Sequence, residues 1–132
     1  MPQLTPHPAS CRCGQLTAVA TGTPIRISVC HCLNCQKRSG SAFAAQVRFP
    51  AAQVATSGEA KTYTVSGENG AAHFHFCPKC GATVYFTNDA VPETIAIPLG
   101  AFDDPYAFTP TVSVYENRQH EWLQLAGEFE RY

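Results

Sequence analysis

The chain has 132 residues, the size of one ordinary domain, and carries 9 Lys plus Arg against 10 Asp plus Glu for a formal charge of −1. That balance lacks the basic face nucleic-acid binding needs and offers no acidic tail. No stretch approaches the roughly 20 apolar residues of a membrane-spanning helix.

The chain opens Met1-Pro2-Gln3-Leu4-Thr5-Pro6-His7-Pro8, without the basic and apolar regions of a signal peptide. Its prolines read as a loose, extended tail, so residues 1–10 are expected to be flexible and residues 11–132 to form a single folded domain in the cytoplasm. Period-two alternation dominates the rest of the chain. Strands are expected at Leu16–Val19, Ile25–Val29, Phe43–Phe49, Lys61–Val65, Ala72–Phe76, Thr83–Phe86, Thr94–Ile97 and Val112–Tyr115, each short and rich in β-branched or aromatic residues. Turn signals separate them: Gly22-Thr23-Pro24, Ser66-Gly67-Glu68-Asn69-Gly70 and Asp103-Asp104-Pro105. A short helix is expected over Leu33–Arg38, stopped by Gly40 in the left-handed conformation, and a further turn or two over Glu121–Ala126. The pattern predicts a mainly β domain, sandwich-like or built of bent sheets.

The chemistry lies in three cysteine clusters: Cys11-Arg12-Cys13-Gly14, Cys30-His31-Cys32-Leu33-Asn34-Cys35 and Cys77-Pro78-Lys79-Cys80-Gly81. The total of 7 is odd, and a reducing compartment disfavours a disulfide framework, so metal is the expected use. Cys-Pro-x-Cys-Gly has the form of a metal knuckle. A tight turn aims both sulfurs at one ion, the proline presets φ, and the glycine tolerates φ > 0 while N–H groups reach the thiolates. A redox dithiol is the competing use of this spacing.

One knuckle supplies two of the four ligands of structural zinc, and either other cluster can complete it. Cys11 and Cys13 with Cys77 and Cys80 make four and leave Cys30, Cys32 and Cys35 as a local trio. A closed Cys₄ site is structural, whereas three protein ligands keep a position for water or substrate. A histidine closing the trio would instead make a second structural site. His31, sitting between two ligands, should point away from their metal. His73 and His75 share a strand face with Cys77 and read as a polar, solvent-facing surface. Lys37 and Arg38 form the densest basic pair, suited either to attracting an anionic substrate beside the trio or to an exposed helix end. Trp122, the single tryptophan, is expected in the core.

Cys-x-Cys-Gly, then Cys-His-Cys-x-x-Cys-Gln-Lys-x-Ser-Gly-Ser-Ala-Phe, then Phe-Cys-Pro-x-Cys-Gly, resembles the glutathione-dependent formaldehyde-activating enzyme family over about Cys11 to Trp122. The resemblance implies a zinc-containing β-tent fold of bent antiparallel sheets, similar to methionine sulfoxide reductase B, with two Zn²⁺ per chain. It implies that Cys11, Cys13, Cys77 and Cys80 hold a structural zinc and that Cys30, Cys32 and Cys35 form the catalytic zinc site. It implies a carbon–sulfur lyase of the S-(hydroxymethyl)glutathione synthase type, acting on a glutathione-like thiol and formaldehyde or another small aldehyde. Lys37 and Arg38 would then steer the substrate's carboxylates. The sequence departs from the family at Ser113, where members often carry a histidine. The alternatives are a non-enzymatic zinc-stabilised binding module and a thiol redox protein.

Overall fold

The computed structural model describes residues 4–132. Its strands are β1 (Pro6–Ser10), β2 (Thr17–Thr21), β3 (Arg26–Cys30), β4 (Ala44–Pro50), β5 (Val54–Ser57), β6 (Lys61–Gly67), β7 (Gly70–Phe76), β8 (Thr83–Asn88), β9 (Thr94–Pro98), β10 (Val112–Val114) and β11 (Glu130–Arg131), with one α-helix, α1 (Leu33–Ser39). They build two sheets. The smaller runs β1-β2-β5, and the larger runs β11-β10-β3-β4-β9-β8-β7-β6.

The protein is mainly β, as the alternating sequence predicts. Every predicted strand forms, displaced by a residue or two at its ends. Gly40 ends α1 at φ 66°, ψ 28°, in the left-handed region. Three expectations about the elements need correction, and a fourth about the core follows below. The tail expected over 1–10 is an ordered strand from Pro6 onward, because β1 pairs antiparallel with β2 along its whole length, Pro6 opposite Thr21 to Ser10 opposite Thr17. Pro6 and Pro8 are tolerated because β1 is an edge strand; residues 1–3 lie outside the described residues. No helix forms over Glu121–Ala126, where Gly127 adopts φ 103° just beyond. The pairing is not antiparallel throughout, since β10 runs parallel to both β3 and β11.

The core joins the two sheets. Ala9, Ala18 and Ala20 of the small sheet pack with Val47, Phe49, Val84 and Ile97 of the large one, and with Leu16, Phe102 and Phe108. Phe49, Phe102 and Phe108 contact one another with ring centroids 4.6–6.3 Å apart. Trp122, expected inside, is 72% exposed: the core is filled from the sheets, and Trp122 lies in an irregular segment where its ring meets His120 at 5.3 Å.

Two features of β3 and β4 position the site. Arg26, Ser28 and Cys30 alternate onto one face of β3, and their partners across the ladder, Arg48, Gln46 and Ala44, share that face. Val29, Ala45 and Val47 occupy the opposite face, and Val47 is fully buried in the core.

Candidate metal centres

The first cluster brings together residues 64 positions apart. Cys11 Sγ lies 3.6 Å from Cys13 Sγ, and Cys13 Sγ lies 3.7 Å from Cys77 Sγ; with Cys80, the four sulfurs lie within 4.8 Å of one another. Four thiolates around zinc at about 2.3 Å place neighbouring sulfurs about 3.8 Å apart. The donor set and its spacing therefore fit a tetrahedral metal ion.

The two arms are built alike. The Cys11 N–H donates to Leu16 O, and the Cys77 N–H donates to Ala82 O, each closing a turn of the same length at 2.9 and 3.0 Å. Gly14 and Gly81 sit inside these turns at φ 87° and 81°, a conformation that disfavours any side chain. Each arm contributes one buried sulfur, Cys11 or Cys77, and one exposed residue, Cys13 or Cys80.

N–H groups converge on the sulfurs. Leu16 N–H donates to Cys11 Sγ at 3.3 Å, Lys79 N–H to Cys77 Sγ at 3.3 Å, and Gln15 Nε2 to Cys77 Sγ at 2.9 Å. Burial raises the Cys77 thiol, but Gln15 and the backbone N–H groups of Cys80 and Lys79 outweigh it and bring it down to about 6. Cys80 is also lowered, chiefly by the Ala82 N–H. Cys13 goes the other way. The Gln15 N–H lowers it, yet Cys11, burial and the remaining cysteines together raise it to about 11. A set of thiols crowded this closely releases its last protons only to a cation.

Gln15 was not singled out by its sequence. Its Nε2 also donates to Glu59 O at 2.7 Å, and its Oε1 accepts the Glu59 N–H at 2.9 Å. It thus ties the loop after β5 to the cysteine cluster. A glutamine beside a Cys-x-Cys-Gly turn is the only sequence signal.

The second cluster is local. Cys30 ends β3 and is buried, Cys32 is the N-cap of α1, and Cys35 lies in its first turn. Cys32 accepts the Cys35 N–H on its sulfur at 3.3 Å, the bond a serine cap would make. The three sulfurs lie within 4.8 Å of one another. Cys30 is held below its ordinary thiol value, first by the Cys35 S–H directed at it; Cys35 is raised by the same bond, with burial adding. The trio also fits a metal ion, with three sulfurs rather than four. Among the described residues no histidine joins either cluster.

The histidines are engaged elsewhere. His31 is fully buried, and its Nε2 lies 3.0 Å from Ser113 Oγ. Ser113 donates its single proton to Glu116 Oε2 at 2.8 Å, which also accepts from Arg131 Nη1 at 2.6 Å. Ser113 Oγ must therefore accept from His31, fixing the Nε2–H tautomer. Burial lowers His31's pKa and keeps the ring neutral, and its Nδ1 is buried without a partner. His31 points away from the trio's sulfurs, as its place between two ligands suggests. His73 bonds Thr64 and Asp89, and His75 bonds Thr62, each at 3.0 Å. His120 bonds the Gln36 side chain at 2.8 Å, and Gln36 Nε2 in turn donates to His31 O at 2.8 Å.

The basic pair divides. Lys37 is exposed. The Arg38 guanidinium lies over the rings of Phe74 and Phe86, 5.2 and 4.9 Å from their centroids, and is close enough to Cys35 to lower it electrostatically.

The fold is similar to the crystal structure of a Rhodobacter sphaeroides protein at 16% identity and a TM-score of 0.59, covering 73% of this chain and 87% of that one. No curated protein matches the chain. Residues 6–118 match the model of the glutathione-dependent formaldehyde-activating enzyme family, and with the seven cysteines gathered as four and three, the chain belongs to that family.

Proposed function

We propose that this protein is a zinc-dependent carbon–sulfur lyase. It joins a glutathione-like thiol to formaldehyde or another small aldehyde, and cleaves the adduct in reverse. The observation carrying this reading is the unequal division of sulfur within a chain of this family: four thiols fit a saturated structural site, and three fit a site with room for one more donor. Zinc in the trio would favour the thiolate form of a bound thiol and polarise a nearby carbonyl.

The chain's own groups prepare that site. Cys30, Cys32 and Cys35 supply the ligands. The cap of α1 fixes Cys32 against Cys35, and the His31–Ser113–Glu116 chain anchors the residue between Cys30 and Cys32 from the other face of the sheet. Arg38 presents positive charge beside Cys35, which suits an anionic thiol; Lys37 adds an exposed charge at the helix surface. In net terms the thiol sulfur adds to the carbonyl carbon and a C–S bond forms. The C=O π pair moves to oxygen, and the thiol proton ends on that oxygen. A reducing compartment such as the cytoplasm keeps the thiols available, and none of the described helices is long and apolar enough to cross a membrane.

The test is exchange of glutathione with formaldehyde, followed by NMR after subtracting the uncatalysed rate. The zinc-loaded protein should accelerate it. Cys32→Ser should return it to background, while the melt stays nearly unchanged because serine preserves the cap. Acceleration that survives in Cys32→Ser, or none in the parent, overturns the proposal.

A further inference from the structure

The face of β3 and β4 that carries Cys30 also carries two arginines that form no ion pair among the described residues. Arg26 and Arg48 are direct partners across the ladder. Like charges so placed repel, and neither makes an ion pair among the described residues, where the pairs are His73–Asp89 and Arg131–Glu116. Arg48 is more buried than Arg26 and bonds the Thr94 hydroxyl at 2.8 Å. Burial and Arg26 both work against its charge.

Between this pair and the trio lies Gln46, opposite Ser28. Its Nε2 donates to Ser28 Oγ at 3.1 Å, and its Oε1 is buried with no partner. A buried acceptor left unpaired costs stability unless a donor arrives. The row continues across the sheet, with Arg48 opposite Ala96, Ala96 opposite Phe86, and Phe86 opposite Phe74. Arg38 lies over those two rings. Three arginines, an unsatisfied amide oxygen and Cys30 thus share one face. Glu130 reaches that face through Val112; its carboxylate accepts the Tyr132 hydroxyl at 3.0 Å, and Arg26 acts electrostatically on that hydroxyl without pairing with Glu130.

We propose that Arg26 and Arg48, paired across the ladder on the face of Cys30, form a subsite that binds a carboxylate of the substrate whose sulfur enters the trio. Arg26 lies four residues from Cys30, a rise of about 13 Å. A tripeptide extends about 10 Å and a central cysteine sits about half that length from a terminal carboxylate, so an arginine side chain reaching back along β3 spans the remainder while the sulfur is at the trio. A carboxylate between the two guanidiniums removes their repulsion and forms charge-assisted bonds. A small neutral thiol engages none of these groups. This inference rests on the thiol-binding reading of the trio and deepens it.

The test is calorimetric binding of glutathione, glutathione diethyl ester and 2-mercaptoethanol to the zinc-loaded protein and to R26Q/R48Q, with thermal melts as a folding control. The parent should prefer glutathione to its diester by about tenfold or more. The preference should vanish in R26Q/R48Q, with 2-mercaptoethanol unaffected. Should the double variant fold poorly, R26Q alone, at an exposed position, should reduce the preference. A parent that does not discriminate overturns the subsite. So does a preference that survives in R26Q/R48Q but is lost in K37Q/R38Q. If no thiol binds, 2-mercaptoethanol included, the reading of the trio fails and the subsite with it.

Discussion

Ser113 shows how much a single buried hydroxyl can organise. It stands at 0% exposure between His31 and Glu116. Its O–H is the main reason the Glu116 carboxyl lies below its ordinary 4.5; burial works the other way and Arg131 reinforces the lowering. A depressed carboxylate contributes stability that is complete above 4.5 and disappears as pH falls through the folded value. Ser113→Ala should therefore make the acid-side decline between about pH 5 and pH 3 shallower. At neutral pH the same change strands the His31 Nε2–H in a buried site, costing about 1–3 kcal/mol. Urea melts across this pH range check both effects; an unchanged slope would show that Ser113 does not govern Glu116. The sequence marks Ser113 only as a departure from the family pattern. Its partner His31 lies 82 positions away, and no local pattern reports such a contact.

At the scale of elements, the β5–β6 connection is as much a part of the first metal centre as the knuckles. Gly58 has φ 101°, and a Cβ there would collide with Gln15 O. That oxygen belongs to the residue whose side chain bonds Cys77 Sγ and both backbone groups of Glu59. Gly58→Ala should cost about 2–4 kcal/mol and speed zinc release from the Cys₄ cluster. Denaturant melts and a chromogenic chelator measure the two; loss of stability with unchanged release would separate the loop from the metal. Alternation reveals strands whether or not they touch the core, since β6 is exposed along its whole length and still reads as a strand. β1 escapes because Pro-His-Pro-Ala-Ser holds no strong β-former, and β5 because Val-Ala-Thr-Ser is only 4 residues long; both are held by pairing with β2 rather than by propensity. The helix expected over Glu121–Ala126 fails for the converse reason: Trp122 is exposed, and the segment buries no apolar stripe that would hold a helix in place.

For the whole molecule, the metal centres carry unequal weight. The Cys₄ cluster joins the loop before β2 to the turn between β7 and β8, so a metal ion held there would clamp the two sheets together. Comparable sites bind zinc with about 10–16 kcal/mol, against roughly 5–15 kcal/mol of net stability for a domain. Elemental analysis should find two zinc ions per chain. Under a chelator the trio should empty first with the far-UV spectrum intact, and the Cys₄ cluster last, with unfolding. Cys80→Ser should not fold stably. One zinc per folded chain, or a normal melt for Cys80→Ser, would contradict this division.

Residue order is enough to give the kinds of element and the three local cysteine clusters, and the family resemblance gives their division into four and three. Alternation arises from the two-residue period of a strand, and ligand spacing from the reach of a tight turn; both are local, and both are written in neighbouring residues. Which strands pair, and in what direction, emerges only when the sheets close on one another. Tertiary structure brought His31 to Ser113, gave Gln15 to Cys77, and set Arg26 beside Arg48 on the face of Cys30. Those contacts depend on register between distant segments, which is set by closure of one shared core rather than by the residues on either side of them.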